Sequence, residues 1–114
     1  SRNQDDHTKN IAFIMDRRGN WRLAPAFDLI HAYNPAGAWT NRHQMTLNGK
    51  RDGFLTDDLL AAASSADLRP PKAKSILQQV HSAVSAWQAH AEDAGVFPDW
   101  ISQIHSNLRL DLKP

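Results

Sequence analysis

The chain has 114 residues, 41% of them hydrophobic and 22% charged, with a formal net charge of +1. That composition belongs to one folded domain with a modest core rather than to a disordered chain, and the near-zero charge excludes a strong overall electrostatic grip on nucleic acid or anionic membrane. Cysteine is absent, which excludes disulfides and thiolate metal sites; with no membrane-length apolar run and no visible signal peptide, the expected location is cytoplasmic.

The first ten residues, SRNQDDHTKN, are too polar for a buried element and read as a loop. They begin abruptly, without an initiator Met, so the expectation is a segment of a longer protein. IAFIMD (11–16) is short and apolar and suits a strand. RRGN (17–20) carries a Gly-Asn turn signal, and WRLAP (21–25) alternates as a returning strand, so 11–25 is expected to be a β-hairpin. AFDLI (26–30) follows directly. Residues 31–54 look irregular, punctuated by Pro35, Gly37, Gly49 and Gly53, with a short strand expected in QMTLN (44–48). A structureless stretch of that length in a small domain is usually functional.

After Leu55 the pattern becomes helical. Thr56 is expected as an N-cap, with Asp57 and Asp58 in the first turn and an end near Ala66. Pro70-Pro71 starts a second helix, in which Ile76, Leu77, Val80, Val84, Trp87 and Ala91 keep a 3.6-residue period up to a Gly95 C-cap. Pro98 opens a third, with Trp100, Ile101, Ile104 and Leu108 on one side. The expected fold is α+β and mostly α. Residues 1–30 hold the loop and hairpin, 31–55 the irregular segment and 56–114 a three-helix core, onto which Ile11, Phe13, Trp21 and Leu23 should dock the hairpin.

The chemistry-bearing residues cluster in the first 30 positions. Asp5 and Asn10 make a D-x-x-x-x-N spacing, a hairpin follows, and Asp28 then stands alone among Phe27, Leu29 and Ile30. A carboxylate in an apolar stretch is costly to bury without a partner, and a metal ion is a natural one; Arg22 or Arg42 are the alternatives. Phosphoryl transfer to a hydroxyl needs these parts: a carboxylate to orient the hydroxyl, and an asparagine oxygen with a second carboxylate to hold Mg²⁺ against ATP phosphates. Protein kinases order them as a catalytic loop, a hairpin and a metal-binding Asp.

DDHTKN, IAFIMD, LAPAFDLI and LNGKRDGF together resemble the C-terminal part of HipA-like bacterial serine/threonine kinases, the toxins of type II toxin–antitoxin modules, over roughly the first half of the chain. The resemblance implies a protein-kinase-like C-terminal lobe with ATP and Mg²⁺ as cofactors. It implies Asp5 as catalytic base and Asn10 and Asp28 as metal ligands. His7, Thr8, Lys9 and the backbone around Phe27, Asp28, Leu29 and Ile30 would line the nucleotide phosphates. It further implies a protein substrate such as an aminoacyl-tRNA synthetase, arrested growth and persistence. The implied partner is a HipB-like helix-turn-helix antitoxin, through which DNA is met only indirectly; no membrane is implied. The ATP-anchoring N-terminal lobe of that family is not in these 114 residues, so this segment alone is expected to have little or no kinase activity.

Two other readings remain open. Asp5, Asp6 and His7 could seed a metal-dependent phosphoesterase, with His31 and His43 as the further ligands. The helical half could instead be a non-catalytic interaction domain that binds an antitoxin or another copy of the toxin. Asp6 reads as structural or solvent-facing. Arg42, His43, Lys50 and Arg51 read as a solvated hairpin in preference to a substrate-contacting lip. His81, His90 and His105 show no paired ligand spacing, and Trp87 and Trp100 read as packing residues.

Overall fold

The computed structural model describes residues 2–112. The chain divides into two compact units, one of Asn3–Met45 and one that begins at Thr46 and includes Arg2. Among the described residues the secondary structure is α+β and mostly helical: one antiparallel hairpin and four α-helices. No helix among the described residues is long and apolar enough to cross a membrane.

In the first unit, strands β1 (Phe13–Met15) and β2 (Trp21–Leu23) pair with Phe13 opposite Leu23, Ile14 opposite Arg22 and Met15 opposite Trp21. The turn between them is held by one side chain. Asp16 Oδ1 accepts from the backbone N–H of Arg18 (2.7 Å) and of Asn20 (3.0 Å), and Asp16 Oδ2 accepts from Asn20 Nδ2 (3.0 Å). The bonds from Asn20, above all from its side chain, hold the Asp16 carboxyl below its usual range. Gly19, at φ +84°, takes the left-handed position that the turn requires. The expected docking residues of the hairpin are instead exposed: Ile11 52%, Phe13 62%, Trp21 67% and Leu23 64%. Two three-residue strands offer too little surface to bury side chains of that size on their own account.

The second unit begins with a tight turn. Leu47 and Lys50 exchange both backbone hydrogen bonds (2.9 and 3.0 Å) across Asn48 (φ +51°) and Gly49 (φ +75°), the geometry of a type I′ turn. Only this isolated bridge forms where a strand was expected at 44–48. Helix α1 (Thr56–Ser65) follows. Its N-cap is Leu55 rather than Thr56, and Asp58 does the capping: its Oδ2 accepts from the Leu55 N–H at 2.8 Å. Asp58 is buried and also takes Lys50 Nζ (2.7 Å) and Asn48 Nδ2 (2.7 Å). These bonds, that from Lys50 foremost, lower its pKa to about 2. The helix ends on Asp67 at φ +56°, with the Leu68 N–H reaching back to Ala63.

The continuous second helix expected through Gly95 is two helices, α2 (Pro70–Ser85) and α3 (Trp87–Asp93), so the core holds four helices and not three. The break falls at Ala86, without proline or glycine. Ser85 Oγ donates to the His81 carbonyl at 2.8 Å, a side-chain bond that competes with the backbone ladder and bends a helix. Gly95 still terminates the shortened helix at φ +71°, with the Val96 N–H bonded to Ala91. Helix α4 (Pro98–Ser106) starts at Pro98 as expected. Helix α1 packs on α2, α2 on α3 and α3 on α4. Among the described residues the buried apolar positions are few, Ala73, Ala91 and Ile101, and Trp87 Nε1 donates to the Ile101 carbonyl at 3.3 Å. Trp87 is therefore a packing residue, but Trp100 is not, being 57% exposed.

Candidate active site

The D-x-x-x-x-N spacing is a closed loop. Thr8–Asn10 form one 3-10 turn, with the Asn10 N–H on the His7 carbonyl (3.1 Å) and the Ile11 N–H on Thr8 (3.3 Å). That turn swings the Asn10 side chain back, and its Nδ2 donates to the Asp5 carbonyl at 3.0 Å. The five-residue offset thus brings Asp5 and Asn10 together through backbone geometry. With Nδ2 committed, the Asn10 Oδ1 is left as an acceptor. The Asp5 carboxylate is half-exposed, and His7 Nε2 lies 4.0 Å from Asp5 Oδ1, too far for a hydrogen bond. His7 Nδ1 is buried and has no hydrogen-bond partner.

Asp6 does what its neighbour does not. Its Oδ2 bonds His43 Nδ1 at 2.8 Å, and its Oδ1 accepts from the Gln44 backbone N–H at 2.7 Å. Gln44 in turn donates from Nε2 to the Trp39 carbonyl. Asp6 is structural, as expected, and its work is to latch residues 39–44 to the loop that carries Asp5. Below the loop, Gln4 is completely buried; its N–H bonds the Ala32 carbonyl at 2.9 Å, while both side-chain polar atoms lack partners.

Asp28 is not buried. It lies on the surface in the left-handed region at φ +56°, and Asn3 Nδ2 donates to its backbone carbonyl at 2.9 Å. A non-glycine residue at positive φ is uncommon, though Asp tolerates it better than most, and such positions concentrate at functional sites. Among the described residues no ion pair joins Asp28 to Arg22 or Arg42. Its apolar neighbours Phe27, Leu29 and Ile30 are exposed as well, so the cost of burial that singled Asp28 out in the sequence does not operate here.

Two cavities flank the loop. One of about 390 Å³ is lined by Asp5, His7, Thr8, Lys9, Trp39 and Gln44. The other, of about 270 Å³, is largely apolar, with Ile11, Ala12, Leu23, Phe27, Leu29 and Met45 around Asn10, Asp6 and His7. Asp5 opens on the first, Asn10 on the second, and His7 on both. Asp28 and Ile30 line neither.

Comparison with protein families matches residues 1–87 to the HipA-like C-terminal domain. The chain belongs to that family. The HipA family is generally one of kinases, in the context of toxin–antitoxin modules. No curated protein and no solved structure matched the chain. The match in this HipA-like domain runs further than the motifs alone suggested: it takes in the Asp5–Asn10 loop, the hairpin, Asp28, the irregular segment, α1 and α2, and stops where α3 begins. Sequence reasoning passed over Trp39 and Gln44. The available signal was a lone tryptophan inside a long irregular segment, the kind of segment that serves a site. The basic stretch is partly structural: Lys50 is paired with Asp58 and His43 with Asp6.

Proposed function

We propose that this HipA-like domain is the catalytic lobe of a serine/threonine kinase toxin, a protein-kinase-like C-terminal lobe that moves the γ-phosphoryl group of ATP to a protein hydroxyl. The observation that carries the reading is the closure of the loop by Asn10 on the Asp5 backbone, which leaves the Asp5 carboxylate and the Asn10 Oδ1 both uncommitted. In this reading Asp5 accepts a hydrogen bond from the attacking serine or threonine hydroxyl and aims its oxygen at the γ-phosphorus. As the new P–O bond forms and the bond to the ADP oxygen breaks, the hydroxyl proton passes to Asp5.

The donor set suits Mg²⁺. Asn10 Oδ1 and the Asp28 carboxylate are hard oxygen donors, and Asp28 is exposed and held in place through its backbone. Asn10 and Asp28 would hold the ion, which supplies charge neutralisation for the ATP phosphates. His7, Thr8 and Lys9 stand beside Asp5 in its cavity, where a lysine ammonium would offset phosphate charge. The apolar cavity on the Asn10 side suits the remainder of the nucleotide. Family membership extends the proposal to a protein substrate such as an aminoacyl-tRNA synthetase and to a HipB-like antitoxin as partner. A phosphoesterase is less well supported. It needs a metal-holding group of acids and histidines, and no such group of three is present among the described residues, with His43 and Asp6 engaged by each other.

The test uses the full natural protein that carries this domain, with ATP, Mg²⁺ and serine/threonine peptides. Asp5→Gln and Asp28→Asn, made separately, should each abolish transfer while circular dichroism shows a folded chain. Transfer that persists in either variant overturns the role given to that residue.

A further inference from the structure

We propose that Trp39 is an acceptor-recognition residue, and that the protein substrate presents an apolar side chain next to its phosphorylated serine or threonine. This deepens the kinase reading and rests on it. Trp39 shares the cavity of about 390 Å³ with Asp5, the proposed base, and with the proposed phosphate neighbours His7, Thr8 and Lys9, while the apolar cavity on the Asn10 side is the one left for the rest of the nucleotide. An indole exposed by 75% beside a carboxylate that must meet an incoming hydroxyl is a large, mostly open apolar surface.

The backbone that carries the indole is also held. Residues 34–40 close on themselves: the Gly37 N–H bonds the Asn34 carbonyl at 2.9 Å, the Asn34 N–H bonds the Thr40 carbonyl at 3.3 Å, and Asn34 Oδ1 accepts from Ala36 at 3.0 Å. The closure is tight enough that a Cβ on Gly37 would lie 2.8 Å from Thr40 Oγ1 and 3.2 Å from the Asn34 backbone. The free end of this loop is tied down through the bond from Gln44 to the Trp39 carbonyl and the bond from Gln44 to Asp6, the residue adjoining Asp5. An aromatic side chain whose backbone is tied to the residue next to the base recognises an apolar group near the reacting oxygen, at reduced entropic cost. The other residues that line this cavity, Asp5, His7, Thr8, Lys9 and Gln44, are polar.

The experiment measures Mg²⁺–ATP-dependent transfer by the full natural protein to a serine/threonine peptide library with varied flanking residues, for wild type, Trp39→Ala and Trp39→Phe. Wild type should prefer peptides with an apolar or aromatic residue adjoining the hydroxyl residue. Trp39→Ala should raise the peptide KM at least tenfold and flatten that preference, with the ATP KM changing less than twofold; Trp39→Phe should stay within about threefold of wild type, since a ring is kept. Should the alanine variant fail to fold, the same comparison between Trp39→Phe and Trp39→Leu decides. An unchanged peptide KM and preference in an active enzyme overturns the proposal alone. So does a rise confined to the ATP KM, which would make Trp39 a nucleotide platform. No transfer by the wild-type protein to any peptide overturns the kinase reading, and this proposal with it.

Discussion

Removing the Asp6 carboxylate should release residues 39–44 from the Asp5–Asn10 loop without unfolding the helices. In Asp6→Ala two bonds disappear, one to His43 Nδ1 at 2.8 Å and one from the Gln44 N–H at 2.7 Å. Hydrogen bonds to a charged group contribute about 1.5–3 kcal/mol each when well shielded. Here the side chains of Asp6 and His43 are 28% and 16% exposed, so water competes for both. The combined loss is then about 2 kcal/mol. At about 1.4 kcal/mol per factor of ten, that is roughly a 30-fold increase in local opening. Native-state hydrogen exchange reads it directly: the Gln44 amide should exchange roughly 30-fold faster, while amides of α2 such as Val80, in the other compact unit, keep their protection. A double-mutant cycle with His43→Ala should show a coupling of about 1 kcal/mol. Unchanged exchange at Gln44, or strictly additive mutations, would show that the latch is not a real constraint.

Two further outcomes test the helical unit. Ile101→Ala should destabilise the chain by about 3 kcal/mol, within the usual range for a buried isoleucine, as read by urea unfolding; Trp100→Ala, at an exposed position of the same helix, should cost far less. Asp58, with its folded pKa lowered to about 2 from an ordinary 3.8, binds protons more weakly folded than unfolded. Its contribution to stability is therefore complete above about pH 4 and is lost as pH falls towards 2. Unfolding measured between pH 5 and 2 should show this loss in wild type and lack it in Asp58→Asn, and equal pH dependence in the two would count against the Lys50–Asp58–Leu55 arrangement.

Much of the fold was legible because its signals are local. The Gly19-Asn20 turn, the two proline starts at Pro70 and Pro98 and the Gly95 stop are set by backbone chemistry within a few residues. The break at Ala86 was not, because the 3.6-residue period runs across it unbroken and only the Ser85 hydroxyl, turned back on His81, marks the bend. The cap of α1 lies one residue before the expected Thr56, which is the better capping residue by type, because Asp58 has the partners: Lys50, Asn48 and the Leu55 N–H. Burial of the hairpin failed as an expectation for a different reason. Ile11, Phe13, Trp21 and Leu23 are apolar, but apolarity runs one way: it says what can be buried and not what will be. At the site, the Asp5–Asn10 spacing translated faithfully into a hydrogen-bonded loop. The Asp6–His43–Gln44–Trp39 chain did not show in the sequence, because it links positions more than 30 residues apart through a segment with no periodicity.

The measurement that bears most directly on the central claim is transfer of labelled γ-phosphate from ATP to a serine or threonine peptide by the full natural protein, wild type against Asp5→Gln. The account predicts a Mg²⁺-dependent signal in wild type and a loss on the order of a thousandfold in the variant, the combined effect of a missing base and a misaligned hydroxyl. A folded Asp5→Gln protein that transfers phosphate at the wild-type rate would contradict it.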